Sequence, residues 1–321
     1  MSFWGERRVL ITGGHGFLGT ALRRAIEAQQ PREVFAPRAS ELDLRERDSI
    51  RDFFERNHAD VVIHAAAVVG GIGANLAHPG RFFYENAIMG VQLIEECRRA
   101  GVEKFVCIGT VCAYPKFTPT PFNEDDLWNG YPEETNAPYG LAKKMLLVQL
   151  QSYRSEYGFD GVFVLPANLY GPHDNFDPQT SHVIPALIKK FASAKANGDA
   201  TVEVWGDGTP TREFLFVDDA VRGIVAIAER YDSPAPMNLG TGEEVSIAQL
   251  SRMIADEIGF NGEIRWDTTK PNGQPRRRLD TTRATREIGF EPSVTLREGV
   301  HRTIEWYLRE RVDGSFESRA K

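Results

Sequence analysis

The chain has 321 residues, of which 41% are hydrophobic and 26% are charged, and its formal net charge is −7. This is the composition of a globular protein with a substantial core, and the acidic balance argues against a nucleic-acid partner. No apolar run reaches membrane length and no signal-peptide pattern opens the chain, so we expect a cytoplasmic protein without a membrane partner; its three cysteines are too few for a disulfide framework or a metal site.

The first half of the chain alternates short apolar strands with helices. The predicted strands are 8–12, 33–37, 60–66, 104–108 and 161–165, and the predicted helices follow Gly19, cover 47–57 and 81–100, and follow Tyr139. Strands that are apolar throughout are typical of a parallel sheet covered on both faces. The sequence therefore predicts an α/β fold with a doubly wound parallel sheet.

A glycine-rich turn joins the first strand to the first helix. Gly13, Gly16 and Gly19 are spaced Gly-x-x-Gly-x-x-Gly, one residue wider than the usual dinucleotide fingerprint. Glycine permits a tight turn and a close approach of the backbone to a pyrophosphate at the helix N-terminus. Between an apolar strand and an amphipathic helix, the triplet indicates a Rossmann-type dinucleotide site rather than a turn without a ligand.

The end of the second predicted strand bears on the choice of dinucleotide. An NAD site usually has an acidic residue there, bonded to the ribose 2′-hydroxyl. Arg38 and Ser40 occupy this stretch instead and suit a 2′-phosphate. The sequence favours NADP (NADPH) as the cofactor; NAD stays possible, because Arg38 could also be a solvated turn residue.

The regular alternation of strands and helices ends in the last third of the chain. Short strands are predicted at 202–205, 212–217 and 237–239, and helices at 246–258 and 296–308. We expect a Rossmann domain over 1–170, completed by about 213–240, a smaller α/β substrate-binding lobe over 171–212 and 241–312, and a tail over 313–321. The basic run 276–278 is interpreted as a solvated face, although Arg276 and Arg277 could also contact a phosphate.

Tyr139 and Lys143 lie four residues apart, which places both side chains on one face of a helix. There the ammonium is expected to lower the pKa of the phenol and to hold the cofactor ribose. Tyr139 would then exchange a proton with a substrate near neutral pH. The alternative is a pair that merely decorates the helix surface.

With these residues the chain resembles the extended short-chain dehydrogenase/reductases that act on nucleotide sugars. More narrowly, it resembles the GDP-L-fucose synthases, which are 3,5-epimerase/4-reductases of GDP-4-keto-6-deoxy-D-mannose. The matching segments are 65–75, 112–116, 168–176, 181–187, 205–214 and 270–276. The glycines and the Tyr/Lys pair identify the superfamily, whereas the segments with Cys112 and His182 narrow it.

The resemblance implies a role for each catalytic candidate. Cys112 is the base and His182 the acid that invert the carbons beside the C4 ketone. Tyr139 protonates the C4 oxygen as hydride arrives from NADPH, Thr110 hydrogen-bonds the sugar oxygen, and Lys143 holds the ribose. Without the resemblance, Cys112 would be interpreted as a small buried hydrophobe and His182 as a structural histidine.

The resemblance also implies contacts to both ligands. The cofactor contacts are Gly13, Gly14, His15, Gly16, Phe17, Leu18, Gly19, Arg38, Leu42, Ile108, Gly109, Lys143, Pro166, Ala167, Asn168, Leu169 and His182. The substrate contacts are Lys190, Trp205, Arg212 and Asn272. Cations suit a diphosphate, and an indole offers an apolar wall.

Three departures from the family pattern leave alternatives open. Thr110 and Val111 replace two serines, Asn272 replaces an acidic residue, and the loop that contains Arg38 is less basic. The substrate could be another GDP-4-keto sugar, such as a heptose, or carry a different nucleotide. The chain could also be an epimerase that recycles bound NAD(P), or a non-catalytic dinucleotide-binding regulator. The family favours a homodimer through the helices near 81–100 and 139–157.

Overall fold

The computed structural model describes residues 2–178, 180–270 and 272–312. The strands are β1 (Arg8–Thr12), β2 (Glu33–Phe35), β3 (Val61–His64), β4 (Lys104–Ile108), β5 (Gly161–Pro166), β6 (Asn168–Tyr170), β7 (Thr201–Trp205), β8 (Thr211–Arg212), β9 (Phe214–Phe216), β10 (Met237–Leu239), β11 (Val245–Ser246) and β12 (Glu263–Asp267). The α-helices are α1 (Phe17–Glu27), α2 (Arg47–Arg56), α3 (Ile72–Ala77), α4 (Pro79–Arg99), α5 (Ala137–Tyr157), α6 (Val183–Asn197), α7 (Val217–Arg230), α8 (Ile247–Ile258), α9 (Thr282–Ile288) and α10 (Leu296–Val312).

A six-stranded sheet forms the centre of the first part of the chain. Its order is β10-β5-β4-β3-β1-β2, and every pair of neighbouring strands is parallel. Strands β3, β4 and β5 are buried along their whole length, as expected where helices cover both faces. The predicted doubly wound α/β fold is confirmed. Because the strand order reverses beside β1, a crevice opens at the carboxyl ends of the strands.

The buried apolar residues form two clusters. The first surrounds the six-stranded sheet, and the second lies among α6, α8, α10 and the β7–β12 pair. Ala284, Ile288 and Phe290 pack in the first cluster, because α9 lies against α7 and β10. The sequence predicts this stretch as part of the lobe. The boundaries given for the Rossmann domain and for the substrate-binding lobe stay a prediction.

The structure differs from the predicted elements mainly in the last third. The predicted strand 212–217 is divided: β8 pairs with β11, β9 pairs with β6, and Val217 begins α7. Four helices, α3, α6, α7 and α9, were not predicted. Asp218 and Asp219 in the first turn of α7 were a usable signal, since carboxylates stabilise a helix N-terminus.

Membrane insertion has no structural support in the part of the chain described. None of its helices combines the length and the hydropathy that a bilayer span requires.

Helices α4 and α5 are joined by a carboxylate cluster on Glu95. Arg98 and Arg99 donate to Glu95 from its own helix, and the Tyr153 hydroxyl donates to it across the helix pair over 3.0 Å. The hydrogen bond from Arg98, helped by those from Arg99 and Tyr153, lowers the pKa of Glu95 to about 2. The ionised carboxylate therefore stabilises the packing of α4 against α5.

We expect Glu95→Gln to lower the free energy of unfolding by about 1–2 kcal/mol at pH 7, as for a lost charge-assisted hydrogen-bond cluster. The depressed folded-state pKa means that this contribution is present above about pH 4.5 and is lost as the pH falls toward 2. Urea unfolding from pH 7 down to pH 2 measures it. Glu55→Gln, at an exposed site of α2, is the control; equal midpoints for both variants at pH 7 would contradict the prediction.

Candidate active site

The glycine-rich turn lies where backbone segments touch. Gly13 has φ of +72°, and a Cβ there would lie 2.8 Å from the Cα of Ala66. A Cβ on Gly19 would lie 2.0 Å from the Gly13 carbonyl oxygen. Helix α1 begins at Phe17 with neither a side-chain cap nor an acidic residue in its first turn, so its positive end is open to an anion. The turn therefore fits a pyrophosphate.

The loop after β2 lies beside this turn. The His15 ring nitrogen Nε2 is 2.9 Å from the Ala36 carbonyl oxygen, which ties the two loops together. Arg38 is exposed and forms no ion pair within the described ranges, while Glu41 accepts its backbone N–H. Leu42 is buried behind the loop. A cation without a carboxylate partner at this place suits the 2′-phosphate of NADP.

The other cofactor candidates lie at the carboxyl ends of β4 and β5 and at the start of β6. A Cβ on Gly109 would lie 2.4 Å from the Phe163 ring, so the strand end after Ile108 lies directly on β5. The Ala167 N–H donates to Leu239, next to Pro166, and Asn168 Nδ2 donates to the Glu213 carbonyl. These residues share one edge of the sheet with the glycine turn, and Leu169 continues it along β6.

Three catalytic candidates meet around the turn after β4. The Thr110 hydroxyl accepts the Cys112 N–H over 3.1 Å and so caps the 3₁₀ turn Val111–Ala113. Tyr139 lies in the first turn of α5 and interacts with Thr110 and Cys112. Gly140 permits this approach, since a Cβ there would lie 2.4 Å from the Cys112 carbonyl oxygen.

Lys143 completes this group from the next turn of α5. Its side chain is buried, and its Nζ lies 3.5 Å from the Ala66 carbonyl oxygen, next to the glycine turn. Burial lowers the pKa of Lys143. The ammonium thus lies between the Cys112 turn and the predicted pyrophosphate site, where a cofactor ribose would lie.

The sequence predicts that Lys143 lowers the pKa of the Tyr139 phenol, and this prediction is wrong. Burial raises the pKa of Tyr139, the nearby Cys112 raises it further, and only the interaction with Thr110 lowers it. Desolvation of the phenolate outweighs the hydrogen bond because the phenol lies inside the crevice. Tyr139 is therefore neutral at pH 7 and suited to donating a proton.

His182 follows a second backbone contact, between the segment before α3 and the segment before α6. The Gly71 N–H donates to the Thr180 carbonyl over 3.2 Å, and a Cβ on Gly71 would lie 2.8 Å from the Ser181 carbonyl oxygen. His182 follows directly as the N-cap residue of α6 and is exposed to solvent. The surrounding protein lowers the pKa of His182 by desolvation.

The four substrate candidates lie in the lobe. Trp205 is 49% exposed at the end of β7, with Lys270 Nζ 5.5 Å from its ring centroid. Lys190 lies on α6 and donates to the Glu203 carbonyl of β7. No contact of the described residues joins Lys190 to the Cys112 turn.

Arg212 and Asn272 contact each other. Arg212 Nη2 donates to the Asn272 carbonyl over 3.3 Å, whereas the Asn272 side-chain oxygen accepts the Asp207 N–H over 3.1 Å. The Asn272 carboxamide therefore holds the turn after β7. Burial, and then the nearby Arg277, lower the pKa of Arg212, which forms no ion pair with any described carboxylate. An anion between the two arginines would relieve this repulsion.

One arginine of the basic run is not solvated, contrary to the sequence prediction. Arg277 is 7% exposed, and its Nη1 lies 3.5 Å from the Cys112 sulfur. Arg276, its neighbour, pairs with Glu244 at the surface. Three consecutive arginines give no sequence signal for which of them turns inward, so this contact was missed.

Glu213 was also missed. Its carboxylate is buried and accepts the backbone N–H groups of Thr241, Gly242 and Leu279. Glu213, which follows Arg212, thereby fixes the loop before β11 and the segment before α9. A Glu within an Arg-Glu-Phe strand pattern gives no indication from sequence that it is a buried acceptor.

The comparisons agree with this geometry. The model of the NAD dependent epimerase/dehydratase family matches residues 9–240. GDP-L-fucose synthase 1 of Arabidopsis thaliana is 39% identical over 302 residues, which are 94% of this chain and 93% of that protein.

Solved structures are similar over nearly the whole chain. A GDP-6-OMe-4-keto-L-xylo-heptose reductase from C. jejuni superposes with a TM-score of 0.91 at 26% identity, over 97% of this chain and 100% of that one. A GDP-L-fucose synthetase from Naegleria fowleri bound to NADP gives 0.87 at 29% identity, over 97% of each chain. With the glycine turn and the Tyr139–Lys143 pair at one sheet edge, this chain belongs to the NAD dependent epimerase/dehydratase family.

Proposed function

We propose that this chain is a GDP-L-fucose synthase, an NADPH-dependent 3,5-epimerase and 4-reductase of a GDP-4-keto-6-deoxy sugar. The observation that carries the proposal is the meeting of Cys112 and Thr110 with the Tyr139–Lys143 pair at the crevice. This group offers both a base for carbon acids and a proton donor for a carbonyl oxygen. The 39% identity to the Arabidopsis thaliana synthase over most of the chain supports the same reaction.

The cofactor assigned to the crevice is NADP. When bound, NADPH supplies the hydride that reduces the C4 ketone of the sugar. The glycine turn and the N-terminus of α1 hold the pyrophosphate, Arg38 pairs with the 2′-phosphate, and Lys143 binds the ribose. The Naegleria fowleri relative with bound NADP supports this assignment.

Epimerisation uses Cys112 and His182. The C4 ketone acidifies the hydrogens on C3 and C5, so the Cys112 thiolate takes one of them while the C–H electron pair moves to the ketone oxygen as an enolate. Protonated His182 then gives a proton to the same carbon from the opposite face. The thiol loses its proton to solvent and the imidazole regains one, which readies both for the second carbon.

Reduction uses Tyr139. As hydride reaches C4, the phenol gives its proton to the C4 oxygen, and Thr110 hydrogen-bonds the same oxygen. The raised pKa of Tyr139 keeps this proton in place at neutral pH until negative charge develops on the sugar. Lys143 balances the charge left on the phenolate.

The lobe is assigned to the nucleotide diphosphate. Arg212, half-buried and without an ion pair among the described carboxylates, pairs with the diphosphate, and Trp205 supplies an apolar wall. Lys190 adds a cation along α6, and Asn272 acts by holding the turn beside Trp205. Residues 171–212 and 241–312 thus form the substrate lobe, and 1–170 with 213–240 the cofactor domain.

A GDP-4-keto-heptose reductase is the second candidate. It is favoured by the TM-score of 0.91 to the C. jejuni heptose reductase and by Val111, which replaces a family serine with a buried apolar side chain. A heptose has a longer carbon chain than a hexose, and identification of the product by NMR distinguishes the two substrates.

We further propose a homodimer formed by α4 and α5. Their outer surface exposes Phe83, Tyr84, Met145 and Val148, which are 42%, 62%, 38% and 45% accessible. Apolar side chains grouped on two packed helices are typical of a subunit interface. A cytoplasmic location is likewise proposed from the sequence.

The reductase assignment predicts that the protein oxidises NADPH in the presence of GDP-4-keto-6-deoxymannose and releases GDP-L-fucose. We expect Tyr139→Phe to lower kcat at least about 10²-fold without changing NADPH affinity, because the proton donor is lost. Absorbance follows the oxidation and NMR identifies the product. Tyr157→Phe, at an exposed site of the same helix, is the matched control.

Two results would overturn this assignment. NADPH binding without oxidation in the wild-type protein would indicate a heptose substrate or a non-reducing epimerase. Turnover that survives Tyr139→Phe would exclude the phenol as the proton donor.

The epimerase assignment predicts that deuterium from D₂O enters C3 and C5 of the product. Cys112→Ser and His182→Asn should each reduce this incorporation at least about 10²-fold, since one removes the base and the other the acid. Mass spectrometry of the recovered sugar measures it. His58→Asn, at an exposed histidine paired with Asp60, is the control; full incorporation in Cys112→Ser would rule out the thiolate mechanism.

The dimer assignment predicts a particle of twice the 36.0 kDa chain mass. Val148→Glu should shift it toward the monomer mass, because a buried unpaired carboxylate costs several kcal/mol at an interface. Size-exclusion chromatography with light scattering measures both. Leu308→Glu, on α10 with 40% exposure, should leave the mass unchanged, and a monomeric wild-type protein would refute the interface.

A further inference from the structure

Arg277 is a buried cation with an unusual set of partners. Within residues 2–178, 180–270 and 272–312 no carboxylate lies at ion-pair distance from it, although its side chain is almost fully enclosed. Its Nη1 lies 3.5 Å from the Cys112 sulfur, and its Nε donates to the Gln274 side-chain oxygen over 3.1 Å. Burying a charge without an anion is costly. The Cys112 sulfur is the one group among these partners that can become an anion.

The geometry of this contact is fixed by Gln274. This side chain is 3% exposed, and its Nε2 donates to the Lys116 carbonyl over 2.9 Å, just beyond the Cys112 turn. Gln274 therefore binds Arg277 with its oxygen and the loop of Cys112 with its nitrogen. One amide side chain therefore binds both the Arg277 guanidinium and the loop that carries the Cys112 sulfur.

The backbone of this segment is anchored on both sides. The Thr211 N–H donates to the Pro275 carbonyl over 3.0 Å, and the Phe122 N–H donates to the Arg278 carbonyl over 2.7 Å. These two bonds fix the backbone on both sides of Arg277, and the side-chain bond to Gln274 then sets the direction of its guanidinium.

We propose that Arg277 is the positioning residue of Cys112: its guanidinium, oriented by Gln274, is the counter-ion that holds the sulfur as a thiolate facing the substrate crevice. The inference deepens the proposed function, on which the use of that thiolate as a base rests. The presence of the thiolate itself does not depend on the reaction.

Three other titratable groups lie around Cys112 and Arg277. Arg212 adds a second cation from β8, and Tyr139 adds a neutral phenol from α5. The buried carboxyl of Glu133, which lies before α5, acts on Arg212 with the opposite charge. Arg212 is assigned to the diphosphate, so its charge is neutralised when the substrate binds. Arg277 then remains as the cation that keeps the thiolate stable beside the negatively charged substrate.

Alkylation of the full-length protein by iodoacetamide tests the inference without any substrate. The thiolate reacts and the thiol does not, so the rate against pH rises to a plateau, with its half-maximal point where half of the sulfur is ionised. Cys97 and Cys107 are buried, and Cys112→Ser provides the blank. Mass spectrometry of the Cys112 peptide gives the rate.

We expect Arg277→Gln to move the half-maximal point upward by about one pH unit or more, which lowers the rate at pH 7 about tenfold. A change in access alone would scale the plateau without moving that point. Arg277→Lys, which keeps the charge, should remain within about threefold of the wild type at pH 7. Gln274→Met should fall between the wild type and Arg277→Gln, because the cation stays but loses its orientation.

Arg276→Gln is the matched control, since it removes the same charge one residue away, from a guanidinium paired with Glu244. Its profile should equal that of the wild type. An unchanged half-maximal point in Arg277→Gln overturns the inference, and a raised KM for substrate in that variant would then assign Arg277 to the diphosphate. Failure of the wild-type protein to oxidise NADPH would refute the proposed function but leave the alkylation result standing.

Discussion

The contact between α5 and the turn after β4 is the constraint on which the candidate site depends. At Gly140 the helix backbone lies so close to the Cys112 carbonyl that a single methyl group would not fit. This approach places Tyr139 beside Thr110 and the sulfur, and Lys143 one turn further toward the glycine turn. A larger residue at position 140 would push Tyr139 away from Cys112, so the close approach of these two side chains depends on one missing Cβ.

The crevice holds a second pattern, which is electrostatic. Arg38 beside the glycine turn and Arg212 in the lobe have no carboxylate partners among the described residues, whereas Arg276 pairs with Glu244. Arg212 is half-buried, and a cation taken out of water without an anion is costly. In the proposed function the 2′-phosphate of the cofactor pairs with Arg38 and the diphosphate of the substrate pairs with Arg212.

The lobe contributes to the chemistry as well as to recognition. The segment around Gln274 reaches back from the lobe and binds the loop of Cys112, while the Thr180 carbonyl accepts the Gly71 N–H two residues before His182. In the proposed mechanism the acid and the counter-ion of the base would both come from the second part of the chain. Folding of the lobe is required for the epimerase part of the proposed reaction, whereas the reductase pair lies entirely on the sheet domain.

The sequence by itself determined the sheet, the glycine turn and the Tyr139–Lys143 pair, because apolar periodicity and glycine spacing are local properties. It did not determine that burial would raise the phenol pKa or that Arg277 would turn inward, since desolvation depends on residues distant in the chain. The division of 212–217 was missed because the strands that pair with its two halves, β11 and β6, lie elsewhere in the chain. Most local signals were found from sequence, although the acidic first turn of α7 was not used, and roles that arise from contacts between the two parts were decided by the tertiary structure.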